Sequence, residues 1–322
     1  MIESIQAITS LSTHLEESNE EWSSTKKLAE SHNAWFTDSF VQRAANTIID
    51  AYLEEEKLTA FMAKYSRVQE AKTIGLVCAG NIPMVGFHDL LSVLLSGHKL
   101  KVKLSSKDEV LMKYVIEKLN EHFSIEIVDN LKSCDAYIAT GSNQTHTVFK
   151  QYFGKYPSLL RKSRTSVAIL DGNESKEQLE ALADDVHLYF GLGCRNVTKI
   201  YAPKGYTFVD LIKTFQQYEY LSDHHKLKNN YDYNLSLFIM NAQYYMSTKS
   251  LLMVERKDLF SPISVVNFEF YDKKEDVVAS LVGNEDLQAI VGKDHIPFGQ
   301  AQCPTLHDFA DGEDTMAFLT NL

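Results

Sequence analysis

From residue 73 onward, short apolar runs alternate with amphipathic stretches, and no other feature constrains the fold of this chain as strongly. Thr73-Ile74-Gly75-Leu76-Val77-Cys78 has the apolar character of a strand buried on both faces of a parallel sheet. Met84 to Leu95 predicts a helix stopped at Gly97. Leu100, Val102 and Leu104 alternate with lysines as a second strand, and Ser106-Lys107-Asp108-Glu109 reads as a capping box opening a helix to about His122. Ile125 to Val128 and Ala136 to Thr140 give two more strands, after which Gly141-Ser142 opens another helix. A second series starts with a strand over Ser166 to Leu170. Ser175-Lys176-Glu177-Gln178 then caps a helix to about Tyr189, followed by a turn at Cys194, a strand at 197–201 and a helix near 207–220. Such an order predicts the α/β class, with two doubly wound domains whose ligands sit at the carboxyl ends of parallel strands. Residues 1 to about 70 read instead as a polar helical segment, with Ala44, Ile48, Ala51 and Tyr52 at helical spacing and Glu54-Glu55-Glu56 as a solvated run.

The expected organisation is a helical segment plus an α/β domain over 1–160 and a second α/β domain over 161–300, which the resemblance given below implies to be dinucleotide-binding and catalytic respectively. Residues 301–322 form a tail returning to the first domain or to an interface. No G-x-G-x-x-G fingerprint is present. The net charge of -11 argues against nucleic acid or an anionic membrane as partner. No apolar run reaches membrane-spanning length, and Met1-Ile2-Glu3-Ser4 does not begin a signal region. The four cysteines, at 78, 134, 194 and 303, are too widely spaced for a disulfide framework or a CxxC metal motif. A cytoplasmic protein with reduced thiols and no bound metal is expected.

Cys194 is the candidate nucleophile. It lies in Phe190-Gly191-Leu192-Gly193-Cys194-Arg195-Asn196, between a predicted helix and a predicted strand. Two glycines just before it leave a bound carbonyl room to approach the thiol, and an inward backbone N–H would help hold the resulting oxyanion. On spacing alone the same residue also reads as a small buried hydrophobe.

Taken in order, six segments resemble the aldehyde dehydrogenase superfamily, and within it the acyl-CoA reductases related to the fatty acid reductase of bacterial luminescence. Cys78-Ala79-Gly80-Asn81-Ile82-Pro83 is similar to the P-W-N-x-P stretch, which implies that Asn81 supplies the oxyanion-hole amide. Lys101-Val102-Lys103-Leu104-Ser105-Ser106 resembles V-x-K-P-S-E, so Lys103 and Ser106 are implied at the adenosine ribose. Thr140-Gly141-Ser142 resembles the T-G-S turn at the pyrophosphate, and Gly191-Leu192-Gly193-Cys194 the G-Q-x-C nucleophile loop. Lys257-Asp258-Leu259-Phe260-Ser261-Pro262 resembles E-E-x-F-G-P, placing Asp258 at the nicotinamide ribose, and Ile296-Pro297-Phe298-Gly299-Gln300 resembles the late P-F-G-G loop. The resemblance covers about residue 70 to the C-terminus and implies an acyl-CoA or acyl-carrier substrate reduced to an aldehyde through an acyl-Cys194 thioester.

Three departures sharpen that implication. Leu159-Leu160-Arg161-Lys162-Ser163 stands where hydrolytic members carry E-L-G-G, and it lacks the glutamate that activates water, which favours reduction or thiol exchange over hydrolysis. Ser106 replaces a glutamate near the ribose, which favours NADPH, with NADH as the alternative. The short chain implies a reduced oligomerisation hairpin and leaves a homo-oligomer open. A hydrolytic or semialdehyde dehydrogenase, and a non-catalytic acyl-transfer subunit, are the alternatives. Elsewhere, His224-His225 reads as a solvated loop, Cys78 and Cys134 as core, Cys303 as structural, and Tyr231, Tyr233, Phe238, Tyr244 and Tyr245 as core or interface. Arg195 could lower the thiol pKa or merely pair with a carboxylate.

Overall fold

In the computed structural model, which describes residues 2–66 and 68–322, the chain divides into two compact units. One comprises Met1–Ser163 with Pro304–Leu322, the other Arg164–Cys303.

The first unit opens with five helices, α1 (Ile2–Thr9), α2 (Leu11–Leu15), α3 (Glu20–His32), α4 (Asp38–Tyr52) and α5 (Glu55–Met62). Ala44, Ile48 and Tyr52 are buried on one face of α4, as their spacing predicts, and Ala51 is half-buried. The helices are keyed by polar groups as well as apolar area: the buried Trp22 indole donates to Gln42, whose amide donates to the Leu15 carbonyl. Then follow β1 (Thr73–Val77), α6 (Phe87–Ser96), β2 (Lys99–Lys103), α7 (Glu109–Leu119), β3 (Ile125–Ile127), β4 (Ala136–Thr140), α8 (Asn143–Phe153) and β5 (Ser158–Arg161). The sheet order is β3-β2-β1-β4-β5, every pairing parallel. The chain winds from β1 out through β2 and β3, then returns to the other side of β1 with β4. This puts the topological switch point, where such sheets bind ligands, between β1 and β4.

Gly97 ends α6 in the left-handed region (φ 91), where a side chain would be strained. The helix starts at Phe87, three residues later than its sequence suggests, because Met84 itself is left-handed (φ 52) and turns the chain. The Ser106 capping box is not formed. Asp108 is the N-cap of α7 and gives that helix no side-chain bond, because its Oδ2 accepts instead from Met84 N–H at 2.8 Å.

The second unit contains β6 (Thr165–Ile169), α9 (Lys176–His187), β7 (Val197–Pro203), α10 (Val209–Phe215), α11 (His225–Met240), β8 (Met246–Ser247), β9 (Leu252–Glu255), β10 (Val265–Tyr271), α12 (Lys274–Leu281) and β11 (Leu287–Gly292). The sheet order is β11-β6-β7-β10-β9-β8, parallel except for β8. Val167, Ile169 and Tyr201 pack against Val277 and Leu281 of α12, while Leu252, Val254 and Val265 pack against Phe238 of α11. The Ser175 capping box is formed with Gln178.

α9 ends at His187 rather than Tyr189, since Tyr189 and Phe190 are left-handed. The 207–220 helix is α10 followed by a 3-10 stretch over Gln216–Asp223. His224-His225 is no solvated loop: His224 caps α11 by accepting from Leu227 N–H, and its ring lies 4.5 Å from that of Phe190. Of the aromatic group, Phe238 is buried with Tyr231 and Tyr245 against it, but Tyr233 and Tyr244 are 64% and 75% exposed. No helix among the described residues is long and apolar enough to cross a membrane.

Candidate active site

In the first unit, the parallel register aligns Val77 with both Lys103 and Ala139, so β1, β2 and β4 end level with one another. The Asn81 loop, Lys103, Ser106 and the Gly141-Ser142 turn therefore gather along one edge of this sheet. Lys103, Ser106 and Ser142 are exposed there, and Asn81 and Gly141 half-buried. The Asn81 loop is clamped to the turn after β2. A Cβ on Gly80 would lie 2.5 Å from Ser105 Oγ, so only glycine allows this approach. Asp108 holds the far end of the loop through Met84, and burial raises its carboxyl well above the usual range. The Ser142 hydroxyl accepts from Thr145 N–H at 3.2 Å and so caps α8. The N-terminus of this eleven-residue helix faces the edge with its partial positive charge, and it suits a phosphate group.

In the second unit, Cys194 is half-buried on a turn that buried polar groups define. Tyr189, Phe190 and Gly191 are all left-handed (φ 54, 57 and 72), and they reverse the chain out of α9. Asn196, fully buried, then fixes the turn. Its Oδ1 accepts from Gly193 N–H at 2.8 Å, and its Nδ2 donates to the carbonyls of Leu188 at 2.9 Å and Asp185 at 3.0 Å. Ser166 Oγ donates to the Cys194 carbonyl at 3.0 Å, which anchors the turn on β6. A cavity lined by Val186, Phe190, Gly191, Leu221, Leu251 and Ile263 among others borders Phe190 and Gly191, where the chain reverses.

The Lys257–Phe260 loop is held by the sheet beneath it. Lys199 Nζ, completely buried, pairs with Glu269 at 2.5 Å and donates to the Lys257 carbonyl at 2.6 Å. Thr198 donates to Leu259 O, and Asn267 Nδ2 donates to the carbonyls of Asp258 and Phe260. Thr198 sits where the β6–β7 register shifts, a bulge that re-aims its hydroxyl toward the loop. The Asp258 side chain itself is exposed. Asn196, Lys199 and Asn267 belong to no motif in the sequence; a polar residue inside an apolar strand run is the one signal, and it marks Lys199 and Asn267 only.

The 159–163 stretch adjoins the Gly141 turn, whose N–H donates to the Arg161 carbonyl at 3.3 Å. Arg161, in the stretch lacking the E-L-G-G carboxylate, points into the first unit and bonds Asp89 at 2.5 Å and Thr315 at 2.7 Å. Cys78 and Cys134 are buried, and burial pushes both thiols up, away from reactivity. Among the described residues, no three His, Cys, Asp or Glu side chains come together as a metal site.

Solved structures match over nearly the whole chain. Aldehyde dehydrogenase 21 from Physcomitrella patens, in complex with its product succinate, superposes with a TM-score of 0.65 at 13% identity, over 91% of this chain and 73% of that one. The fold is that of the aldehyde dehydrogenases. An NAD+ complex of a Bacillus cereus aldehyde dehydrogenase matches at TM-score 0.62 and 12% identity, over 90% of this chain and 71% of the other. A variant of the propionaldehyde dehydrogenase from the fucose-utilisation microcompartment of Clostridium phytofermentans gives 0.60 and 10%, over 94% and 81%. No family model matches the chain, and no curated protein sequence does. In the aldehyde dehydrogenase fold, then, the first unit carries the switch-point edge and the second carries the Cys194 turn.

Proposed function

We propose that this aldehyde-dehydrogenase-fold protein is an acyl-CoA reductase, which takes an acyl thioester on CoA or an acyl carrier to the aldehyde through a covalent acyl-Cys194 intermediate. The observation that carries the reading is the glycine-flanked Cys194 turn, locked by the buried Asn196, in a chain with no carboxylate between Leu159 and Ser163. Cys194 Sγ, as thiolate, attacks the thioester carbonyl carbon, and the CoA or carrier thiolate leaves as its C–S bond to that carbon breaks. The Asn81 amide and the Cys194 backbone N–H are assigned to the oxyanion. Lys103, Ser106, Gly141, Ser142 and Asp258 are assigned to a nicotinamide dinucleotide, NADPH in preference to NADH because Ser106 sets no negative charge against a ribose phosphate. When bound in reduced form, the nicotinamide supplies the hydride. Release of aldehyde returns Cys194 to its thiolate, and without a water-activating glutamate the acyl enzyme persists long enough to be reduced.

The deciding experiment mixes the protein with acyl-CoAs of increasing chain length and follows NADPH oxidation, with intact mass recorded without NADPH. One acyl adduct, absent from Cys194→Ala, together with aldehyde production is the expected result. Rapid release of free acid from aldehyde and NADP+ without CoA would identify a hydrolytic dehydrogenase instead. An unreactive Cys194 would leave only an acyl-transfer subunit.

A further inference from the structure

One buried carboxylate in the second unit takes no part in this chemistry, yet two of the motif loops meet on it. Asp185, in the last turn of α9, is fully buried. Its Oδ2 accepts from Gly299 N–H at 2.7 Å and its Oδ1 from Ala301 N–H at 3.0 Å, so its carboxylate grips the Pro297–Ala301 loop. Its backbone carbonyl accepts from Asn196 Nδ2, the side chain that also holds Gly193, the residue before Cys194. The loop is pressed close as well: Gly299 is left-handed (φ +81), and a Cβ there would lie 2.9 Å from that of Ala181, one turn earlier on α9.

An apolar side chain could bury as much area at a lower cost, since a carboxylate without water is expensive to hold. Burial accordingly pushes the Asp185 carboxyl up to about 7, with the Gly299 and Ala301 N–H groups opposing the rise. What a carboxylate offers in return is two acceptor oxygens and no donor, so each of the two converging backbone N–H groups meets an oxygen of its own.

We propose that Asp185 is a positioning residue of the candidate site, holding the Pro297–Ala301 loop and the Cys194 turn in one fixed arrangement on the end of α9. The consequence for turnover rests on the acyl-thioester reading above; the mechanical coupling does not. Asp185→Asn keeps the size but turns an NH2 group against one of the two N–H donors. Gly299→Ala disturbs the same contact from the loop side and leaves the core carboxylate intact.

Three measurements on the full-length protein test the coupling: amide exchange over 296–303, the rate of Cys194 alkylation by iodoacetamide, and steady-state acyl-CoA reduction. In both variants we expect exchange in the loop to rise about tenfold while β6, β7 and β10 stay protected. Alkylation of the half-buried thiol should speed up about threefold as its turn loosens. The kcat should fall about tenfold or more with KM moving less than about twofold, because the loss is of geometry and not of binding. Loosened loop exchange with unchanged Cys194 alkylation would overturn the proposal, and so would unchanged exchange in the loop. If Asp185→Asn does not fold, Gly299→Ala decides by the same two criteria. A wild-type protein that reduces no acyl thioester would refute the functional reading alone, since exchange and alkylation need no substrate.

Discussion

Asn196 bears the most specific prediction, because isosteric and truncating substitutions there separate hydrogen bonding from packing. Its side chain makes three good bonds, from Gly193 N–H and to the Leu188 and Asp185 carbonyls, with Val186 O farther off at 3.5 Å. Each such bond contributes about 1 kcal/mol net, and a buried group left without its partner costs about 1–3 kcal/mol. Asn196→Ala should therefore lower stability by about 3–5 kcal/mol, a large fraction of the margin of an ordinary domain. Asn196→Asp keeps the shape and the acceptor for Gly193, yet it sets a carboxylate oxygen against two carbonyl oxygens. At pH 7.5 it should be at least as destabilising as alanine. The carboxyl introduced there would have its pKa raised by burial and repulsion, so its folded form retains a proton that the unfolded chain has lost. Stability of this variant should then recover as pH falls toward 5, where the protonated carboxyl can donate to a carbonyl. Urea midpoints at both pH values, wild type beside each variant, give the answer. A near-native Asn196→Asp at pH 7.5, or an Asn196→Ala loss below about 1 kcal/mol, would refute the argument that this side chain builds the Cys194 turn.

Three further outcomes are expected. Asn81→Ala should cut acyl-CoA reduction roughly a hundredfold, since one oxyanion donor is worth about 2.7–4 kcal/mol, and a loss below about tenfold in a rate assay would reduce Asn81 to a turn residue. Lys103→Ala should weaken NADPH more than NADH in fluorescence titrations; equal losses would remove the charge argument for NADPH. Burial pulls His187 down to about 4, so below its usual 6.5 the unfolded chain takes up a proton that the folded chain refuses, and stability is lost as pH falls from 6.5 to 4. Asp185, raised to about 7, works with the opposite sign, stability falling as pH rises from its ordinary 3.8 toward 7. His187→Gln should consequently gain on the wild type by up to about 3 kcal/mol between pH 6.5 and 4 in thermal unfolding, and a constant gap across that range would rule the mechanism out.

The elements legible in the sequence are those whose cause is local. β1, β4, β6 and β7 are apolar runs, Gly97 and Ser175 mark helix ends, and each forms its element where the pattern puts it. The misreadings have distant causes. Ser106-Lys107-Asp108-Glu109 has every residue a capping box needs, but α7 starts only at Glu109, with Asp108 as its N-cap and that carboxylate claimed by Met84, 24 positions away. β5 was hidden because Arg161 looks like a surface residue; its burial depends on Asp89 and on Thr315, 72 and 154 positions away. α11 presents Tyr233, Ile239 and Met240 to solvent, which blurs the periodicity that would announce it. The left-handed Tyr189 and Phe190 follow no sequence rule, since glycine or asparagine would be the expected occupants.

The same division runs through the site. Motif residues that a ligand would meet, such as Lys103, Ser142 and Asp258, are exposed, whereas the groups that hold their loops, Asp108, Asn196, Asp185, Lys199 and Asn267, are buried. Loops entering a packed interior bring backbone N–H and C=O groups that no strand ladder can satisfy, so buried polar side chains must do it. Apolar packing would tolerate sliding of the loop; a directional bond within about 3 Å does not. It follows that the two sets should fail differently under substitution. Exposed motif positions should lose binding or turnover in a protein of normal stability, while the buried anchors should lose stability and Cys194 geometry together. A short recurring pattern records only the first set, which is why Cys194 could be picked out from its neighbours in sequence and Asp185 could not.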